Sequence, residues 1–322
     1  MRYGILLTTF LAFVLPAAGA AAPAELETLR AGVVVIRYHA TDARAAQQVA
    51  ETAREALQQM RDKLGIALRP TVEVVLARGT AEFKESAGEA VPEWALGIAR
   101  TTEGRVVIDM SRTSGFDLSN DLLLTFCHEL CHIALGQVER EAHAGFPVWF
   151  HEGVAIWLSG YRLGIDRRPF LDAAGAGRLM PLAELRDGFP AKAREAELAY
   201  LEAEDFVGFL VEKGGEDPLA RIIDAFAAGK SFDDAVAHAV GESLHALEAE
   251  WAEALRVRHP FFAMLLRHLS LFGILAVATV LIFFLVRARA RRKKREWEEE
   301  ERMLQIEDEE EEPEEQEDIE DG

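Results

Sequence analysis

The residues with the plainest chemical capacity are His128-Glu129-Leu130-Cys131-His132. They fall in a stretch of helical spacing, 119–136, which opens on the capping residues Ser119, Asn120 and Asp121. Side chains four apart on a helix share one face, about 6 Å from each other. Two imidazoles placed that way can grip one zinc ion at roughly 2.0–2.1 Å each. Glu129 lies next to that face, where its carboxylate can take a proton from a zinc-bound water.

A catalytic zinc needs a third protein ligand and an open position for water. A second helix is predicted over 147–159, with Pro147 in its first turn. Glu152 stands in it, twenty residues after His132, among Val148, Trp149, Phe150, Val154, Ala155, Ile156 and Trp157. A carboxylate in such surroundings needs a cation, either a metal or a buried arginine. His151 is the rival ligand, about 100° around the helix from Glu152, so one face does not easily offer both. The reading adopted is one zinc held by His128, His132 and Glu152, with Glu129 as general base.

The pair of segments HELCH and FHEGVA resembles the peptidase MA-like, gluzincin-type zinc metallopeptidases. In that family a helix bearing HExxH is followed by one bearing W-x-x-E-G-x-A, here Trp149, Glu152, Gly153 and Ala155. Weaker similarities are Ala199-Tyr200 with Phe206-Val207-Gly208-Phe209-Leu210, and Leu247-Glu248 with Trp251. The resemblance covers about residues 30–256; the N-E-x-x-S-D form of thermolysin-like members is absent. It implies a zincin-like fold, a protein or peptide substrate, and Tyr200 as donor to the tetrahedral oxyanion, against a plain core role for that tyrosine. It also implies an edge strand that pairs with extended substrate, read here as Val106–Asp109.

The elements that must position these residues are an α+β set. Gly32–His39, Thr71–Ala77 and Gly104–Met110 read as strands, and Thr41–Leu64 as a helix closed by Gly65. Helical patterns follow at 197–213, 216–228, 231–239 and 242–257, whereas 160–190 reads as irregular. Strands first and helices later argue for α+β rather than α/β. The peptidase domain is placed at 24–258.

The two ends of the chain carry different signals. Residues 1–22 read as a signal peptide, with Arg2, an apolar run Ile5–Leu15 and the small residues Ala18-Gly19-Ala20. Leu269–Val286 is uncharged over 18 residues, and 287–295 follows with a charge of +7. That pattern predicts one transmembrane helix, 265–287, with its C-terminal end in the cytoplasm. Residues 296–322 hold 17 acidic side chains and one basic one, which predicts a disordered tail over 288–322, basic then acidic. The overall charge of −20 is thus unevenly placed, with a moderately acidic body, and the single basic cluster is explained by the membrane, not by nucleic acid.

Two cysteines, Cys127 and Cys131, allow no disulfide framework. With Leu124 and Ala134 they form a stripe that reads as a core face. Intramembrane zinc proteases also use HExxH, but here the motif's helix is too short and polar to span a bilayer. The expected protein is a single-pass membrane peptidase of a bacterial inner membrane, its domain on the periplasmic side, acting on extracytoplasmic or envelope proteins. The competing reading is a catalytically silent zinc-binding scaffold of the envelope. Oligomeric state is not legible.

Overall fold

Short runs of β-branched residues and longer amphipathic ones divide the chain as their periods require. The computed structural model describes residues 26–69, 71–88, 91, 95–112, 118–160, 166–258 and 271–310. The first half supplies strands β1 (Glu27–Ala31) and β2 (Val34–Tyr38), helix α1 (Ala43–Leu64), strand β3 (Val72–Ala77), helix α2 (Thr80–Ala87), and strands β4 (Gly97–Arg100) and β5 (Arg105–Asp109). Helices follow: α3 (Leu118–Ala142), α4 (Val148–Ser159), α5 (Arg168–Gly175), α6 (Ala193–Lys213), α7 (Pro218–Ala227), α8 (Phe232–Val240) and α9 (Leu244–Arg258). The fold is mixed α+β, mostly helical with one small sheet among the described residues. The expected signal peptide lies outside them.

The sheet order is β1-β2-β3-β5-β4, with β2, β3 and β5 parallel and both outer strands antiparallel to their neighbours. Alternation sorts its side chains onto two faces. Val72, Val74, Leu76, Val106 and Ile108 face the main core, shared with α1, α3 and the later helices. Val75, Ala77 and Val107 face the other way and are covered by Phe83 and Ala87 of α2. This topology corrects one expectation. Val106–Asp109 belongs to β5, an interior strand; the edge beside α3 is β4. A strand made of Gly97, Ile98, Ala99 and Arg100 lacks the β-branched signal that β5 carries in Val106-Val107-Ile108.

Helix α3 is central, packed against β4 and β5 on one side and against α1, α4 and α7 on others. Its fully buried Phe126, Leu130, Ile133, Ala134 and Leu135 account for that position. Pro147 stands as the N-cap of α4 rather than inside its first turn. Helix α4 lies close against α6 because Gly153 has no side chain. A Cβ there would overlap the Ala203 carbonyl oxygen of α6 and stand 2.7 Å from Val207 Cγ2. Aromatic side chains fill the same layer: Trp149 meets Phe206 edge-on at 5.3 Å, and Phe206 meets Trp251 at 5.2 Å.

The region read as irregular, 160–190, contains α5 and a loop tied down by two carboxylates. Glu202 of α6, fully buried, accepts from the Met180 amide at 3.1 Å, and Glu248 of α9 accepts from the Leu182 amide at 2.8 Å. Burial, with the charge of Glu248 adding to it, pushes the Glu202 carboxyl up to about 8.

A second compact unit begins after Arg258. Its helix α10 (Leu271–Glu310) contains one segment, Gly273–Lys293, long and apolar enough to cross a membrane. Its apolar side chains, Ile274 and Phe284 among them, are exposed. The helix runs on through the basic cluster and the acidic run to Glu310, where a disordered tail was expected. Arg, Lys and Glu are good helix formers, and extending an existing helix avoids the cost of nucleation. Residues 311–322 lie outside the described set.

Two outcomes follow from this packing. Gly153→Ala forces α4 from α6 and is expected to destabilise the domain by about 1–3 kcal/mol, read by chemical denaturation; an unchanged midpoint would contradict the close approach. Glu202 has a folded pKa of about 8 above an ordinary 4.5, so it contributes stability at low pH that is lost as pH rises from 4.5 through 8. Glu202→Gln should therefore gain in melting temperature relative to the unmodified chain across that window. A difference independent of pH would show that Glu202 stays ionised.

Candidate metal centre

Helix α3 presents His128 and His132 from one face, and α4 presents Glu152 to the same point. The two Nε2 atoms are 3.1 Å apart, and Glu152 Oε2 lies 3.6 Å from each of them. The three residues form a group whose ligand atoms all lie within 4.8 Å of one another. Ligands of a tetrahedral centre, each about 2.0–2.1 Å from the ion, stand about 3.3 Å apart. A charge-assisted hydrogen bond from imidazole to carboxylate would instead close to about 2.7–2.9 Å. The spacing, neither bonded nor splayed, is that of atoms able to share one ion.

The electrostatics of the group follow from its burial. Burial would raise Glu152, but the charges of His132, His128 and His151 outweigh it and hold its carboxyl at about 2. Burial pulls His132 down to about 3, against the attraction of Glu152 and with repulsion from His128 and His151. At neutral pH His132 is thus uncharged, the form that ligates a metal. Burial also pulls His128 down, yet the nearby carboxylate of Glu152 and the charge of Glu129 leave it raised.

Glu129 lies between this group and the sheet edge. Burial pushes it up to about 7; His128 and the Ala99 amide of β4 oppose that, and Glu152 adds to it. Strand β4 comes this close because residue 97 is glycine. A Cβ there would lie 2.7 Å from Thr125 Cγ2 and 2.9 Å from Glu129 Cγ. A cavity of about 730 Å³ opens beside these residues, lined by Gly97, His128, Glu129, Phe189 and Tyr200 among others. Tyr200 of α6 meets Phe189 edge-on at 4.8 Å. Burial, then the charges of Glu152 and Glu129, raise its phenol.

Other residues weighed in the sequence fall elsewhere. Cys131 is buried, Cys127 is packed against the core, and neither is in a disulfide. Burial raises both thiols, Cys127 to about 12, which leaves them unreactive. Trp149 is core, 1% exposed. His151 does not join the ligand group; its Nδ1 lies 2.7 Å from Nδ1 of His132. Its Nε2 faces Glu139 at 3.6 Å. In the sequence His151 stands out only as a rival to Glu152, and Glu139 not at all. The available signal was a histidine adjacent to the third ligand, one helix away from a carboxylate seven residues past His132.

A sequence model of the peptidase MA superfamily matches residues 52–257. The chain is also similar to the uncharacterized protein YhcO of Bacillus subtilis (strain 168), 29% identical over 133 residues that cover 40% of this chain and 39% of YhcO. It therefore spans well under half the length of that relative. The superfamily match extends over more than half of the chain and takes in both helices that converge on the ligand group, so the chain belongs to the peptidase MA superfamily.

Proposed function

We propose that this protein is a membrane-anchored zinc peptidase with a zincin-like domain. The observation that carries the reading is the convergence of His128 Nε2, His132 Nε2 and Glu152 Oε2 at 3.1, 3.6 and 3.6 Å, with Glu129 alongside. The donor set suits zinc: two imidazoles and one carboxylate, with a cavity beside them. Zinc bound there would supply Lewis acidity, polarising a carbonyl and lowering the pKa of a coordinated water towards ~7.

The remaining work belongs to the chain's own side chains. Glu129 is the general base: its carboxylate takes the water's proton and returns it to the leaving amine. The Tyr200 hydroxyl, its proton held by the raised pKa, donates to the developing oxyanion. The open edge of β4 offers backbone groups to an extended substrate, which gives affinity with little side-chain selectivity. Glycine at position 97 keeps that edge in reach of Glu129.

The proposed setting is a single span, 265–287, preceded by a signal peptide at 1–22 and a domain at 24–258. The segment Gly273–Lys293 supports the span, and the basic residues at its C-terminal end support a cytoplasmic tail. The domain then faces the periplasm, and its substrates are extracytoplasmic or envelope proteins.

Two measurements test the reading. Metal analysis of the purified chain should find one zinc, lost in Glu152→Ala; a chain without zinc, or a variant that keeps it, refutes the ligand set. Glu129→Gln should keep the zinc and lose about 10²–10⁴-fold in peptide hydrolysis. Unaltered biological activity in that variant would favour a zinc-binding scaffold instead.

A further inference from the structure

The contact between His132 and His151 is geometrically specific. Their Nδ1 atoms are 2.7 Å apart, their ring centroids 4.8 Å apart, and the planes differ by 18°. Two rings in one plane joined through such a contact have centroids about 5 Å apart. The rings therefore lie edge to edge, with one proton between the two nitrogens, and are not stacked face to face.

Only one direction for that proton agrees with the surroundings. His132 Nε2 points at His128 and Glu152. For it to hold a metal, its lone pair must be free there, so its proton sits on Nδ1 and is donated to His151. His151 Nδ1 then accepts, and its own proton sits on Nε2. That atom faces Glu139 Oε2 at 3.6 Å, beyond hydrogen-bond length, where the carboxylate's charge favours an N–H over a lone pair. Glu139 is fixed in turn, because its other oxygen accepts from the Phe146 amide at 2.8 Å. Phe146 is held in the core against Phe226, at 4.2 Å between centroids.

We infer that Glu139 and His151 are positioning residues for the metal site: the Glu139 carboxylate selects the His151 tautomer, and His151 selects the tautomer and orientation of His132. The inference rests on the zinc reading above and deepens it. It explains why a histidine precedes Glu152 without ligating. A residue at 151 on α4 can steady a ligand of α3 while its neighbour supplies one, so the two helices are locked together at the site from both sides.

The test measures zinc affinity of the metal-free, full-length protein by competition with a chromogenic chelator, using Zn²⁺ alone. His151→Phe keeps a ring but removes both nitrogens, and should weaken binding about 10–100-fold. His151→Asn places an oxygen where Nδ1 stands and should recover most of that loss. Glu139→Gln is isosteric, but its amide group donates towards His151 Nε2, reverses both tautomers and should also weaken zinc. Wild-type affinity in the Phe variant, or an Asn variant no better than Phe, overturns the inference. If His151→Phe does not fold, Glu139→Gln decides: unchanged affinity overturns it. A wild-type chain that takes up no zinc overturns the functional reading as well, whereas zinc held equally by wild type and variants overturns this inference alone.

Discussion

The arrangement depends on the carboxylate of Glu152, withdrawn from water on an otherwise apolar helix. Desolvation favours its protonation, and a protonated carboxyl would leave His128 without that counter-charge. The opposite occurs because three histidines surround it, and the carboxyl is held at about 2. The cost of withdrawing the charge is offset only while α3 and α4 remain in register. Any displacement of α4 separates a partly buried anion from its partners.

Absent side chains enforce that register. Gly153 follows Glu152 directly and lets α4 meet the backbone of α6. Gly97 does the same for β4 against α3, bringing the Ala99 amide to Glu129. The two glycines stand on either side of the candidate site, one next to Glu152 and one against Glu129. Each is permitted by packing rather than by an unusual backbone angle, since neither has a positive φ. Close approach, more than loop freedom, explains why glycine stands at both positions.

The C-terminal helix obeys a different constraint. Its apolar segment exposes Ile282, Phe283, Phe284 and Leu285 and is long and apolar enough to cross a membrane. Basic residues follow it, and among them Lys293 lies 5.2 Å over the ring of Trp297, one turn further on. In a nonpolar surrounding such a helix would satisfy its backbone groups internally.

The legibility of the chain differed between its parts for physical reasons. Helices α1 and α6–α9 and strands β2, β3 and β5 are visible in periodicity, because each buries one face or one stripe. Strand β4 was not, since its residues have little bulk; it is defined by pairing with β5, a property of the sheet. That omission displaced the expected substrate edge by one strand. Helix α5 was hidden in a run rich in Gly, Arg and Pro. The ligand group was legible because four-residue spacing is itself geometry: His128 and His132 must share a face once the helix forms. The partner of His132 was not, because the contact crosses from α3 to α4, and spacing along one helix says nothing of proton direction between two. The same sequence that sets His128 and His132 on one face therefore leaves their protonation to the fold, where Glu139 is anchored by the Phe146 amide.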